Sequence, residues 1–285
     1  MARKRTFFIA SAVVGLLAAG AGAFLITAPT ANAVTGSRVV QERTITLKAN
    51  QQGTYTHTIL DDWRGHVLTV WLIPSGEGCW FDVPRAWYTT DEGDRYKYVL
   101  RNQSDKTCTT TVQIVATPPL FEAGVTGTLQ PGQTSRPFVF YDSRDHLVWL
   151  AGIRTTTVGC TLELERVWYE RKPGQSRSFA FTIRNRGSVA CSGRALVTHF
   201  ENTQKIATKK PGGQPTHYYT QLPGARPQAT ILGYSPAPGQ TCTVGTSTEA
   251  YHVQRPIGQS ANHTSWAALP SSVQCEFSTY LVTLT

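Results

Sequence analysis

The sequence predicts an all-β protein made of three sandwich-sized units in series, each closed by its own disulfide. Three observations predict it. A ten-residue phrase recurs, reading CWFDVPRAWY from Cys79, CTLELERVWY from Cys160 and CTVGTSTEAY from Cys242. Its tyrosine keeps one offset from the cysteine, at Tyr88, Tyr169 and Tyr251, and a second cysteine follows each phrase at Cys108, Cys191 and Cys275. Between these marks the apolar residues alternate in short runs instead of recurring at helical spacing. A unit repeated over this length is one folded element used several times.

The chain opens on MARKRTFFIASAVVGLLAAGAGAFLITAPTANA, which has the layout of a secretion signal. Arg3, Lys4 and Arg5 are its basic start, Phe7 to Ile26 its apolar stretch, and Ala31-Asn32-Ala33 a small-residue cleavage site. The expected segments are therefore 1–33 as signal, then units over 34–118, 119–201 and 202–285. No later run is apolar enough to span a bilayer, so no integral membrane segment is expected after cleavage. Export also accounts for the six cysteines, an even number with one pair inside each unit. The repeat selects the pairing Cys79–Cys108, Cys160–Cys191 and Cys242–Cys275. Zinc is the weaker reading, because CxxC and paired histidines at ligand spacing are absent.

The first unit supplies HVLTVWLI, CWFDV, RYKYVL and CTTTVQIV as strands, and the second RPFVFY, DHLVWLAGI, CTLEL, RSFAFTI and CSGRALV. The third supplies THYYT, ATILGY, CTVGT, HTSWAAL and CEFSTYLVTL. Turn signals separate them: Gln130-Pro131-Gly132-Gln133, Lys172-Pro173-Gly174-Gln175 and Pro211-Gly212-Gly213-Gln214. In such a turn Pro presets the first central position and Gly permits positive φ at the next. Six or seven strands in some eighty residues is the strand density of a two-sheet sandwich.

The segment FAFTIRNRGSVACSGRALV resembles the last two strands of bacterial immunoglobulin-like domains. That resemblance, at the level of fold, implies three tandem immunoglobulin-like sandwiches, although the cysteines stand elsewhere than in the Cys…Trp…Cys pattern of antibody domains. A single closed three-fold object is the rival arrangement. Separate sandwiches are favoured, because each unit holds a disulfide and enough apolar strands for its own core.

The full chain carries a net charge of +9. Losing residues 1–33 removes Arg3, Lys4 and Arg5 and no acid, leaving 24 basic against 18 acidic residues, a net +6. A basic exported protein is drawn to anionic polymers or surfaces. Nucleic acid is not expected as a partner, since no basic helix or recognised binding motif accompanies the charge. The cluster from Lys205 to Lys210 reads as a solvated linker, and the stretch Lys205 to Pro227 as the place for a long loop.

Two motifs invite a functional reading. Asp62-x-Arg64-x-His66 and Asp142-x-Arg144-x-His146 each precede an apolar strand. Brought together, such groups orient a ligand or exchange protons; the favoured reading is a turn in which Asp accepts backbone bonds and pairs the Arg. Arg85 and Arg166 fall, by strict alternation, on the core face. A bulge near Pro84, or pairing with an acid such as Glu165, resolves that conflict.

Trp80 lies on the face opposite Cys79 and Phe81, so it is the leading candidate for stacking on a sugar or anchoring a partner. Covering the junction with the next unit is an equal alternative. Trp63, Tyr218 and Tyr219 are weaker companions. Trp71, Trp87, Trp149, Trp168 and Trp266 are expected in cores.

Signatures of catalysis, GxSxG, HExxH and phosphate loops among them, are absent, and no cofactor or metal is expected. The triplets Asn102-Gln103-Ser104 and Asn262-His263-Thr264 match the glycosylation pattern and are read as coincidences. The sequence therefore points to a secreted, non-enzymatic binding or structural protein of the extracellular space or the cell wall, recognising a cell-wall polymer, a polysaccharide or a secreted protein. An inhibitor or accessory subunit of a secreted enzyme or toxin is the alternative. A hydrolase using Asp62/His66 or Asp142/His146 ranks last.

Overall fold

A computed structural model describes residues 24–27, 36–124, 127–142, 148–155, 157–171 and 176–200. Beyond these it describes the strand backbones of 203–209, 216–221, 228–233, 242–245, 248–255, 259–266 and 277–283. The protein is all-β. Among the described residues the one helical element is a 3₁₀ turn at Asp61–Trp63.

After β1 (Phe24–Thr27) come β2 (Arg38–Leu47), β3 (Gln52–Thr58), β4 (Val67–Ser75), β5 (Trp80–Thr89), β6 (Arg95–Asn102) and β7 (Cys108–Thr117). Next are β8 (Phe121–Gly124), β9 (Phe138–Asp142), β10 (Val148–Thr155), β11 (Thr161–Arg171), β12 (Arg177–Asn185) and β13 (Gly193–Phe200). The last set is β14 (Thr203–Lys209), β15 (Thr216–Gln221), β16 (Gln228–Gly233), β17 (Cys242–Gly245), β18 (Thr248–Arg255), β19 (Gln259–Trp266) and β20 (Phe277–Thr283). Within the stretch Lys205 to Pro227, where a long loop is expected, residues 205–209 belong to β14 and 216–221 to β15, and the rest lies outside the described residues.

One strand order occurs three times. The three-stranded sheets run β2-β7-β4, β8-β13-β10 and β14-β20-β16. Facing them are β3-β6-β5, β9-β12-β11 and β15-β19-β18. Ile45, Leu72, Phe81, Leu100 and Ile114 fill the core between the first two layers. Phe140, Trp149, Leu162, Phe179 and Phe181 do so in the second. Period-two alternation generates these cores, because successive side chains on a strand point to opposite faces. Fully burying a side chain such as Phe181, 0% exposed, contributes roughly 1.5–3 kcal/mol.

The disulfides Cys79–Cys108 and Cys160–Cys191 are formed, with Cα atoms 5.6 Å apart in both. Each spans about thirty residues and stabilises by roughly 3–4 kcal/mol on the chain-entropy estimate. Cys242 lies on β17, while its expected partner Cys275 lies outside the described residues.

The Gln130–Gln133 turn forms as its sequence predicts: Gln133 N–H donates to the Gln130 carbonyl (2.9 Å) and Gly132 adopts φ +76°. Lys48–Gln51 makes the same turn without a Pro-Gly signal. There Asn50 takes φ 56° and Gln51 N–H donates to the Lys48 carbonyl (3.1 Å). Both turns are closed a second time by a glutamine Oε1 that accepts the first residue's N–H, at 2.8 Å in each.

The expectation of separate sandwiches gives way to a joined structure. Thr161–Glu163 at the start of β11 pairs with the end of β5 (Thr161↔Thr89, Glu163↔Trp87). The end of β11 pairs with β17 (Trp168↔Gly245, Arg171↔Cys242). β18 returns to the start of β5 (Ala250↔Phe81, Tyr251↔Trp80). These pairings form a closed cycle and merge the three layers, together with β17 and with β1 laid parallel to β9, into one 11-stranded sheet. β4, β10 and β16 also touch one another pairwise. The physical reason is edge satisfaction: an unpaired strand edge exposes N–H and C=O groups, and here the outer edges of β5, β11 and β18 are covered by strands of another set.

Candidate functional site

The repeated phrase becomes the strands that meet at these junctions. In β5 the register with β6 slips between Asp82 and Arg85, and in β11 the register with β12 slips between Leu164 and Arg166. These are the bulges that the misplaced arginines imply. Each bulge lets Phe81 and Tyr88, or Leu162 and Tyr169, share the core despite their odd spacing, and turns Arg85 and Arg166 out to solvent.

The arginine partners were not legible in the sequence. Arg85 grips Glu163 with two bonds, Nε at 2.8 Å and Nη2 at 3.0 Å, and lies 5.2 Å from the ring centroid of Trp87. Arg186 donates to the same carboxylate at 2.7 Å. Glu163 is only 5% exposed, so two guanidinium groups compensate one buried charge. The Glu163 bond raises the Arg85 pKa further. Glu165, the acid that neighbours Arg166, is taken instead by Arg184 (2.7 Å) and Thr134 (2.7 Å), which hold its carboxyl below the usual range.

In β5 the corresponding acid is Asp82, 6% exposed. It accepts Arg101 through Nε (3.0 Å) and Nη2 (2.5 Å), and Gln103 at 2.9 Å. A threonine network seals the β5–β11 junction. Thr89 and Thr161 hydroxyls bond at 3.0 Å, Thr90 N–H donates to the Cys160 carbonyl (2.9 Å), and Cys160 N–H donates to Thr90 Oγ1 (3.0 Å).

Two further polar residues were missed as structural determinants. Asn102 and Asn185 are both 0% exposed. The Asn102 amide donates to the carbonyls of Leu47, Lys48 and Lys106, and its Oδ1 accepts Ser104 N–H. Asn185 donates to Leu129 and Val189 and accepts Gly187 N–H. The signal was present in the sequence as the Arg-Asn that stands six residues before both Cys108 and Cys191. The glycosylation match at Asn102 has no exposed acceptor in the fold.

The named ligand candidates fall as follows. Trp80 is half-buried; its backbone N–H donates to Ser104 Oγ (2.7 Å) and it stands opposite Tyr251, so β18 runs beside it. Trp63 is also half-buried, packs on the first core and sits edge-on to His66 with centroids 5.4 Å apart. Asp62 is exposed, while Arg64 pairs with Asp61 (3.3 Å) and Asp94. Asp62, Arg64 and His66 therefore do not converge on one point; burial lowers the His66 pKa. The Asp-pairing turn is present, with Asp61 in the role expected of Asp62. Tyr218 and Tyr219 lie on β15 opposite Thr264 and His263. Asp142 ends β9, and Arg144 and His146 lie outside the described residues.

Between the first and second sets an apolar cleft of about 40 Å³ is lined by Leu68, Trp87, Tyr96, Gly152, Ile153 and Leu164, among others. Its size suits a water molecule or a methyl group, not a substrate. Among the described residues no group of His, Cys, Asp and Glu is arranged to hold a metal ion, and no helix is long and apolar enough to cross a membrane.

A scan of protein-family models finds no match to this chain, and searches of curated proteins and of solved structures find none either.

Proposed function

We propose that this chain is a secreted, non-enzymatic binding or structural protein of the extracellular space or cell envelope, built from three immunoglobulin-like repeats. In this reading residues 1–33 are removed on export and Cys242–Cys275 forms the third disulfide. Its partner is anionic: a cell-wall polymer, a polysaccharide or an acidic protein. The two formed disulfides support an oxidising compartment.

One observation carries the choice of an anionic partner. Among the described side chains, the outer side of β5, β6, β11 and β12 carries Arg85, Arg101, Arg166, Arg184 and Arg186 beside Asp82, Glu163 and Glu165. The guanidinium groups are partly solvent-facing while Asp82 and Glu163 are buried beneath them, so these pairs present positive charge to solvent. Cyclic strand pairing makes the face rigid, which lowers the ordering cost of binding.

Affinity capture from washed cells and culture supernatant tests this. Wild-type protein is expected to retain an anionic partner, with retention falling steeply between 50 and about 300 mM salt as surface charges are screened. Retention unaffected by salt, or turnover of a substrate by the purified protein, would overturn the reading.

A further inference from the structure

Two of the inter-set junctions, β5–β11 and β11–β17, each carry a tryptophan with an arginine two residues before it, and they differ in the residue that stands opposite that tryptophan. At the first, Trp87 stands opposite Glu163, and Arg85, two residues before the Trp, clasps that carboxylate. At the second, Trp168 stands opposite Gly245, and Arg166, two residues before the Trp, lies 4.6 Å from the Trp168 centroid. Gly245 has no side chain to offer. The adjacent Glu165 is committed to Arg184 and Thr134, and among the described residues no acid pairs with Arg166, which is exposed.

We propose that Arg166 is the docking point for a carboxylate supplied from outside, the glutamate or aspartate side chain of an acidic protein partner. The incoming group takes beside Gly245 the position that Glu163 takes beside Trp87. Three features fit this role. Stacking on Trp168 restrains the guanidinium before a partner arrives. A guanidinium fork matches a carboxylate with two parallel bonds, as Arg85 and Glu163 demonstrate within the chain. The internal carboxylate is itself an amino-acid side chain on an extended strand, which favours a protein over a sugar acid. The site rests on the reading of the chain as a binding protein and gives that reading its chemistry.

The test measures binding of poly-L-glutamate, with polygalacturonate as the second probe, to wild type and four variants. Arg166→Gln is expected to weaken poly-L-glutamate binding about tenfold, the loss of one charge-assisted contact. Gly245→Glu is expected to weaken it as much, because a carboxylate in the same chain then occupies the guanidinium, while Gly245→Ala binds as wild type. Lys97→Gln, which removes one charge elsewhere on the same sheet, is expected to change affinity less than twofold. In Gly245→Glu the Arg166 Nε–H resonance should move toward that of Arg85, a readout independent of any probe. Equal losses in Lys97→Gln and Arg166→Gln would reduce the effect to diffuse charge and overturn the site. Binding of polygalacturonate without poly-L-glutamate would overturn the protein assignment. Undiminished capture of the cellular partner by Arg166→Gln would overturn this site while leaving the binding-protein reading intact.

Discussion

Asp82 and Glu163 occupy the same place in two bulged strands, yet they are satisfied in different ways. Asp82 is held within its own set by Arg101 and Gln103. Glu163 is shared: Arg186 holds it from its own set and Arg85 reaches it from the neighbouring one. Arg186 stands where Gln103 stands in the first set, and Arg184, equivalent to Arg101, has turned to Glu165. A buried acid thus serves as a local staple in one strand and as a clasp between sets in the other. The difference lies in the partners each acid meets, Arg101 and Gln103 for Asp82 and Arg186 and Arg85 for Glu163.

Removing the clasp should give the largest effect. Glu163→Ala strands two guanidinium groups and is expected to destabilise by about 3 kcal/mol, read from the denaturant midpoint. Hydrogen exchange should accelerate at Thr89 and Thr161, across the junction. Asp82→Ala should lower stability while leaving those two amides protected. Loss of protection in both variants alike would erase the distinction between staple and clasp.

The buried asparagines sharpen the comparison next. Each variant Asn102→Ala and Asn185→Ala leaves carbonyls without donors, at about 1–3 kcal/mol per site. Asn102 serves three carbonyls and Asn185 two, so the first substitution should cost more. An equal or reversed order, measured by thermal unfolding, contradicts the assignment.

The contact between sets gives a smaller effect. A Cβ on Gly152 would sit 3.0 Å from Val67 Cα, where β10 crosses β4. Gly152→Ala is therefore expected to cost about 1–3 kcal/mol through a forced shift of backbone. Gly124→Ala meets nothing within 4 Å and should be nearly neutral. Comparable losses in the two variants would mean that the crossing is not close.

The mildest effect is on pH dependence. Burial lowers the pKa of His57 and of His66 in the folded protein. As pH falls below about 6.5 the unfolded chain binds protons that these rings do not bind when folded, so stability decreases. Each ring contributes at most about 1.4 kcal/mol per pH unit. His57→Gln with His66→Gln should flatten the slope of stability between pH 7 and pH 5; an unchanged slope would remove both histidines from the explanation.

Much of this architecture is legible along the chain. Strands such as HVLTVWLI and RSFAFTI form where alternation puts them. The pairs Cys79–Cys108 and Cys160–Cys191 close, and the outward turn of Arg85 follows from a conflict visible in the alternation itself. The candidate ligand residues were less legible. Trp80 reads as exposed because alternation locates a side chain relative to its own sheet, and β18, more than 150 residues away, was not visible to it. The partner of Arg85 is similarly remote, 78 residues along the chain, while the nearby acid Glu165 belongs to Arg184.

What the amino-acid order determined by itself is local: side-chain period, turn chemistry, bulges and the cysteine spacing, all set within a few residues or one repeat. What only the tertiary structure decided is how the repeated sets meet, and with it the fate of Trp80, Glu163 and Arg166. The physical reason is that strand edges and buried charges carry no address. An edge is satisfied by whichever strand approaches it, and a carboxylate by whichever guanidinium the closed cycle brings within reach.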